Sequence, residues 1–173
     1  MVLELMDKQS GRSINLPKEV AVRRENNSIV LENRLRQYTD ARLSAELTIN
    51  GDTNLVDNIL IRTRIIEYDS SMPIPDKLYT KWLDYDKINA GLVVRCRMTG
   101  DYITFGNDDK KKKLKSYFID EKVPLGERDK VILIAEQDHI LWAIGYRISS
   151  YYKVSDKTKR VLEITYSDKS CRN

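Results

Sequence analysis

The chain holds 173 residues with 30 lysines and arginines, 26 aspartates and glutamates and a net charge of +4, and 41% of it is apolar. That is one ordinary domain or two small ones, long enough to bury a core without disulfides. No apolar run approaches the roughly 18–20 residues of a membrane span, no basic leader opens the chain, and two cysteines with one histidine are too few for a Cys/His metal cage. The expectation is a cytoplasmic protein with no membrane partner.

Residues 2–6 are a brief apolar fragment that reads as the end of an element lacking its start. Residues 10–17, Ser-Gly-Arg-Ser-Ile-Asn-Leu-Pro, form a turn-rich entry. Short apolar alternations at residues 19–24 and 26–32 flank an asparagine pair and predict a β-hairpin. Residues 43–49 and 59–68 read as strands. In the second, Ile59, Ile61, Thr63 and Ile65 alternate with Leu60, Arg62 and Arg64, giving one apolar and one basic face. Met72-Pro-Ile-Pro-Asp is a stiff connection. It divides an N-terminal part, residues 1–75, from a basic C-terminal part, residues 76–173.

Residues 1–86 carry 12 basic against 14 acidic side chains, and residues 87–173 carry 18 against 12, so the basic character lies in the second half. There, residues 92–98 predict a strand ending in a Thr-Gly-Asp turn, and a polar loop leads into the lysine run at 110–113. Leu114, Tyr117 and Phe118 share one side of a helix, which predicts a short amphipathic helix with the lysines at its start, ended by Val123-Pro-Leu-Gly. Strands at 131–135 and 140–148 surround an Asp-His turn, and 161–166 is a last strand. Strands outnumber helices, so the fold class is a β-rich α+β.

The strongest chemical feature is the run Lys110, Lys111, Lys112 and Lys113 with Lys115. Its plain reading is a solvated helix face. Lysines at a helix start, with Asp120 and Glu121 at its end, oppose the helix dipole and instead suit an anion held against free N–H groups. Arg95 and Arg97 emerge on one face of their strand, with Asp101 and Asp129 as nearby carboxylates, and Arg128 allows the same choice between ion pair and phosphate contact. Catalytic candidates are few: Asp101, Asp129 and His139, the last read as a solvated turn residue. The seven glycines form no phosphate-binding loop. Ten tyrosines supply rings able to stack on bases, Tyr102, Tyr117, Tyr146, Tyr151 and Tyr152 among them, though most read as core.

Three spaced stretches, Leu92-Val-Val-Arg-Cys-Arg-Met-Thr-Gly-Asp-Tyr-Ile, Lys112-Lys-Leu-Lys-Ser-Tyr-Phe-Ile-Asp-Glu-Lys-Val-Pro with Glu127-Arg-Asp, and Ile140-Leu-Trp-Ala-Ile-Gly-Tyr-Arg-Ile, together resemble the C-terminal domain of the tRNA(Ile)-lysidine synthetase family. The upstream Trp82-Leu-Asp-Tyr-Asp-Lys resembles that domain's lead-in, and the resemblance is strong over residues 80–166. It implies a sandwich-like, β-rich module with a few short helices, similar to one in the phenylalanyl-tRNA synthetase β chain. The family's enzyme is an ATP-dependent carbon–nitrogen ligase that attaches lysine to the wobble cytidine of an isoleucine tRNA with a CAU anticodon. The Ser-Gly-Gly-x-Asp-Ser loop of its catalytic domain is absent here, because Arg12 stands where the second glycine would be. The resemblance therefore implies a C-terminal portion that binds the tRNA acceptor-stem region, with no activity and no cofactor of its own. ATP would belong to the catalytic domain, which becomes a partner together with tRNA and a second copy of the chain. Arg95, Arg97, Lys112, Lys115 and Arg128 match the family's pattern, while Lys110, Lys111 and Lys113 add local basicity. The alternative is a docking or dimerisation module with an incidental basic patch.

Overall fold

The computed structural model describes residues 13–16, 20–25, 28–33, 44–55 and 58–168. The expected fragment at residues 2–6 and the tail cysteine, Cys171, lie outside them. Strands β1 (Ser13–Leu16), β2 (Val20–Glu25) and β3 (Ser28–Asn33) form an antiparallel sheet of their own. The hairpin of β2 and β3 matches the expectation. Residues 13–16 differ from it: the Ser-Ile-Asn-Leu piece of the turn-rich entry pairs with β2 as a third strand, its alternation supplying the period of 2 that a strand needs.

The next strands are β4 (Ala45–Glu46), β5 (Asp52–Asn54), β6 (Ile59–Glu67), β7 (Thr80–Asp84), β8 (Leu92–Arg95), β9 (Tyr102–Phe105) and β10 (Lys110–Lys113). Helix α1 (Leu114–Asp120) follows, then β11 (Leu133–Glu136), β12 (His139–Ala143) and β13 (Arg160–Asp168). They build two sheets, one of six strands in the order β10-β9-β12-β11-β8-β4 and one of four in the order β5-β6-β13-β7. The main core lies between the sheets, where Ile61, Leu83, Leu162 and Ile164 of the smaller meet Val94, Ile134, Leu141 and Trp142 of the larger. A second core covers the outer face of the six-stranded sheet, with Leu114, Tyr117 and Phe118 of α1 on Ile103, Leu133 and Ile140. A bulge connects the two. Ile134 pairs with Trp142 and Ala135 with Ile140, so Leu141 is the extra residue and both it and Trp142 face the main core. The result is the sandwich-like, β-rich α+β class. Among the described residues no helix is long and apolar enough to cross a membrane.

Two expectations change. The sheet crosses the boundary expected at residues 75/76: β6 pairs with β13 from Ile59↔Asp168 to Glu67↔Arg160, and β7 flanks β13 on its other side. Met72-Pro-Ile-Pro is thus the surface connection between two strands that both border β13. The lysine run, moreover, is a strand. Gly106 and Asp109 take positive φ, of 71° and 48°, and turn the chain so that Lys110–Lys113 pair with Tyr102–Phe105 in an antiparallel hairpin at the edge of the larger sheet. Only at Leu114 does α1 begin. It spans 7 residues, and the Leu114 N–H donates to the Asp101 carbonyl. The expected anion cradle of lysines around free helix N–H groups does not form.

Candidate nucleic-acid interface

The three arginines expected to reach a phosphate are engaged within the fold. Arg95 is 8% exposed, and its guanidinium donates in parallel to both Asp101 oxygens at 2.8 Å and to the carbonyls of Gln137 and Cys96 at 2.7 and 3.1 Å. Asp101 also accepts from the Met98 N–H at 2.7 Å. The planar fork of arginine meets the planar carboxylate, and the clasp closes the turn between β8 and β9. Arg97 pairs with Asp129, and Arg128 donates through Nε to the Val123 carbonyl at 2.8 Å, past the end of α1. Asp101 and Asp129 therefore hold separate arginines and are no carboxylate pair. Arg95, expected at an RNA phosphate, has both its terminal guanidinium nitrogens engaged within the fold.

The lysines divide by strand register. On one face of β10, Lys112 bonds Asp120 of α1 and lies over the Phe105 ring, while Lys110 pairs with Asp108 at 3.0 Å. On the other, Lys111 sits over the Tyr102 ring, its ammonium 4.3 Å from the centroid, with Lys113 two positions further on. Lys113 and Lys115 are exposed and make no ion pair among the described residues. Lys111, Lys113 and Lys115 are thus the cations least committed to carboxylates.

Beside Lys111 opens a cleft of about 570 Å³. Its wall is aromatic: Tyr102 stacks on His139 with centroids 4.5 Å apart, and Tyr151 meets buried Tyr152 edge-on at 5.0 Å. Polar groups fix these rings. The Tyr152 hydroxyl lies 2.6 Å from Glu136 Oε2 and 3.2 Å from His139 Nδ1, and Thr104 Oγ1 lies 3.4 Å from His139 Nε2. Tyr152 has one proton and donates it to the carboxylate. His139 Nδ1 then carries the hydrogen that points at the tyrosine oxygen, and Nε2 accepts from Thr104. The imidazole is neutral, and burial pushes its pKa below the usual value, against the pull of Glu136. Burial, with the Glu136 bond, raises Tyr152. Far from being a solvated turn residue, His139 is half-buried at the start of β12, held by residues distant in sequence. The cleft itself was not read from the sequence; its one local signal is the adjacent Tyr151-Tyr152 pair, whose rings point different ways.

Comparison with known proteins agrees with this architecture. The family described as TilS substrate C-terminal domain matches residues 92–164. The tRNA(Ile)-lysidine synthase of Caldanaerobacter subterraneus subsp. tengcongensis is 34% identical over 167 residues, covering 96% of this chain and 35% of that protein. That of Dehalococcoides mccartyi is 31% identical over 169 residues, covering 95% and 36%. The chain thus spans little more than a third of the length of these curated relatives. A solved structure, the crystal structure of TILS C-terminal domain, superposes with a TM-score of 0.58 at 24% identity, over 73% of this chain and 96% of the other, and shares the fold. By sequence over nearly its whole length, and with a fold common to a solved domain of that kind, this chain belongs to the tRNA(Ile)-lysidine synthase family as its C-terminal domain.

Proposed function

We propose that this chain is the tRNA-binding module of a lysidine-forming ligase, cytoplasmic, and that it docks the acceptor-stem region while a separate catalytic domain uses ATP and lysine at the CAU anticodon of an isoleucine tRNA. The observation that carries the reading is the pair of fates of the basic side chains. Arg95, Arg97 and Arg128 are engaged within the fold, whereas Lys111 and Lys113 stand on the edge strand β10 and Lys115 on the first turn of α1. Flexible, solvated ammonium groups in a row suit phosphates of an A-form stem, which proteins read by backbone and shape. Lys110 and Lys112 lend their charge from the opposite face. Glu136 and His139 of the cleft are tied up in the network holding Tyr152, and the module is proposed to contribute binding and no chemistry.

The test is a titration of isoleucine tRNA at several salt concentrations with the wild-type chain and its Lys111/Lys113/Lys115 alanine variant. Each phosphate contact removed flattens the log–log salt slope by roughly 0.7–0.9. An unchanged slope in a folded variant refutes the assignment.

A second reading, docking against the catalytic domain, draws on exposed apolar side chains before β7: Ile74, Leu78 and Tyr79 are 51%, 54% and 47% exposed, and Tyr79 leans on Tyr166 at 5.4 Å. Pull-down by a separately expressed catalytic domain, lost in Leu78→Asp, checks it. The two readings are compatible, since tethering raises the effective concentration of a weak module.

A further inference from the structure

Resting on the RNA-binding reading above, we infer that the aromatic cleft beside Lys111 takes one unpaired nucleotide of the bound RNA, its base stacked against Tyr151 and its phosphate paired with Lys111. The lining is unusual in its chemistry. Of twelve lining residues only Ala90 is aliphatic; the others are rings, amides, hydroxyls and charges. A purely apolar ligand would leave the polar groups of the lining unmatched, whereas a heteroaromatic base with polar edges matches both its rings and its polar groups.

The inner rings are already committed. Tyr152 is 1% exposed and bonded to Glu136, while the Tyr102–His139 stack is capped by the Lys111 ammonium. Tyr151 differs in its exposure, 37%: its backbone N–H donates to Thr104 Oγ1 at 3.1 Å, Tyr152 props it edge-on, and the Lys87 ammonium lies 5.6 Å from its ring centroid. A large, rigidly mounted, accessible ring is a stacking platform. The charges around it are equally sorted. Glu136 accepts from Asn89 and Ala90 N–H as well as from Tyr152, Asp109 accepts from Ser150, and Lys87 is engaged with the Tyr151 carbonyl and with Asp84. That leaves Lys111, over the Tyr102 ring, as the cleft cation with no carboxylate partner among the described residues, and the exposed Asn89, Gln137 and Asp138 as donors and acceptors for base edges. Bases inside a duplex have both faces covered by their neighbours, so a paired stem cannot use Tyr151. An unpaired residue at a strand end or bulge can.

The experiment measures fluorescence anisotropy of the full chain with a labelled RNA hairpin, blunt or carrying a short 3′ single-stranded extension, for the wild type, Tyr151→Ala and Tyr151→Phe. The extension is expected to tighten wild-type binding by roughly 5- to 100-fold, the range of one base–aromatic stack. Tyr151→Phe keeps that gain, and Tyr151→Ala loses it while holding the blunt hairpin within twofold of wild type. Equal binding of blunt and extended RNA by the wild type, or a gain that survives in Tyr151→Ala, overturns the inference. Failure of every RNA to bind instead refutes the tRNA-binding reading. Adenosine monophosphate, followed by tyrosine fluorescence, then decides the cleft alone: quenching in the wild type that Tyr151→Ala abolishes supports a nucleotide site, and no quenching overturns it.

Discussion

Arg95 and Asp101 clasp each other across the turn from β8 to β9 through two parallel bonds of 2.8 Å, with side chains only 10% and 2% exposed. An arginine that sequence alone leaves free to choose between a phosphate and a carboxylate has chosen the carboxylate. Arg95→Ala leaves Asp101 buried without its counter-charge and is expected to cost about 3–5 kcal/mol of unfolding free energy. Denaturant melts of Arg95→Ala check this. A variant of unchanged stability whose RNA affinity falls would return Arg95 to the interface.

Lys122 occupies the position after α1 where glycine is usual. Its φ is 56°, Val123 N–H donates to the Phe118 carbonyl at 2.9 Å, and Lys122 N–H donates to the Ile119 carbonyl at 3.0 Å. This is a Schellman closure made with a side chain that disfavours left-handed backbone. Lys122→Gly is therefore expected to stabilise the chain by about 1 kcal/mol, offset in part by the greater freedom of glycine when unfolded. Thermal melting provides the check, and a lower midpoint would contradict it.

His139 is held neutral, with its folded pKa below 6.5 because of burial. The unfolded chain consequently binds more protons in the window below that value, and stability is present in full above it and lost as pH falls through the folded pKa. The urea midpoint of the wild type is expected to fall between pH 7.5 and pH 5 by more than that of His139→Gln. Identical pH profiles would show that the imidazole stays hydrated.

Removing the hydroxyl in Tyr152→Phe strips a donor from Glu136 and an acceptor from His139 Nδ1–H. The cost expected is about 1–3 kcal/mol, the penalty of leaving polar partners unmatched in a half-buried site. Because both variants break one network, Tyr152→Phe combined with His139→Gln should cost less than the sum of the two singly. Strict additivity in that cycle would mean the hydroxyl and the ring do not communicate.

Much of the scaffold was legible locally. From Ile61 to Arg64 the alternation of Ile61 and Thr63 with Arg62 and Arg64 is the burial pattern of β6, although Leu60, expected on the basic face, is buried, and Leu114, Tyr117 and Phe118 form the packed side of α1 at the spacing read. Four identical lysines, by contrast, carry no periodicity, so their strand character is dictated by the partner strand Tyr102–Phe105. The boundary at residue 75 failed for a related reason: Arg64 and Glu163, which join β6 to β13, lie 99 positions apart. Likewise His139 has neighbours, Thr104 and Tyr152, that the turn around it does not reveal. What sequence reading missed is non-local pairing, and the cleft is made of little else.

The place of β10 at the rim of the six-stranded sheet has one more consequence. A rim strand offers unmatched backbone groups to any other extended chain, and a second copy of this protein carries the same offer. Four successive ammonium groups refuse it: two such rims brought side by side would set lysine against lysine along their whole length. The charge that would draw in a polyanion thereby also keeps the protein from polymerising through its own sheet, and added salt, which screens that repulsion, is the condition under which this protection thins.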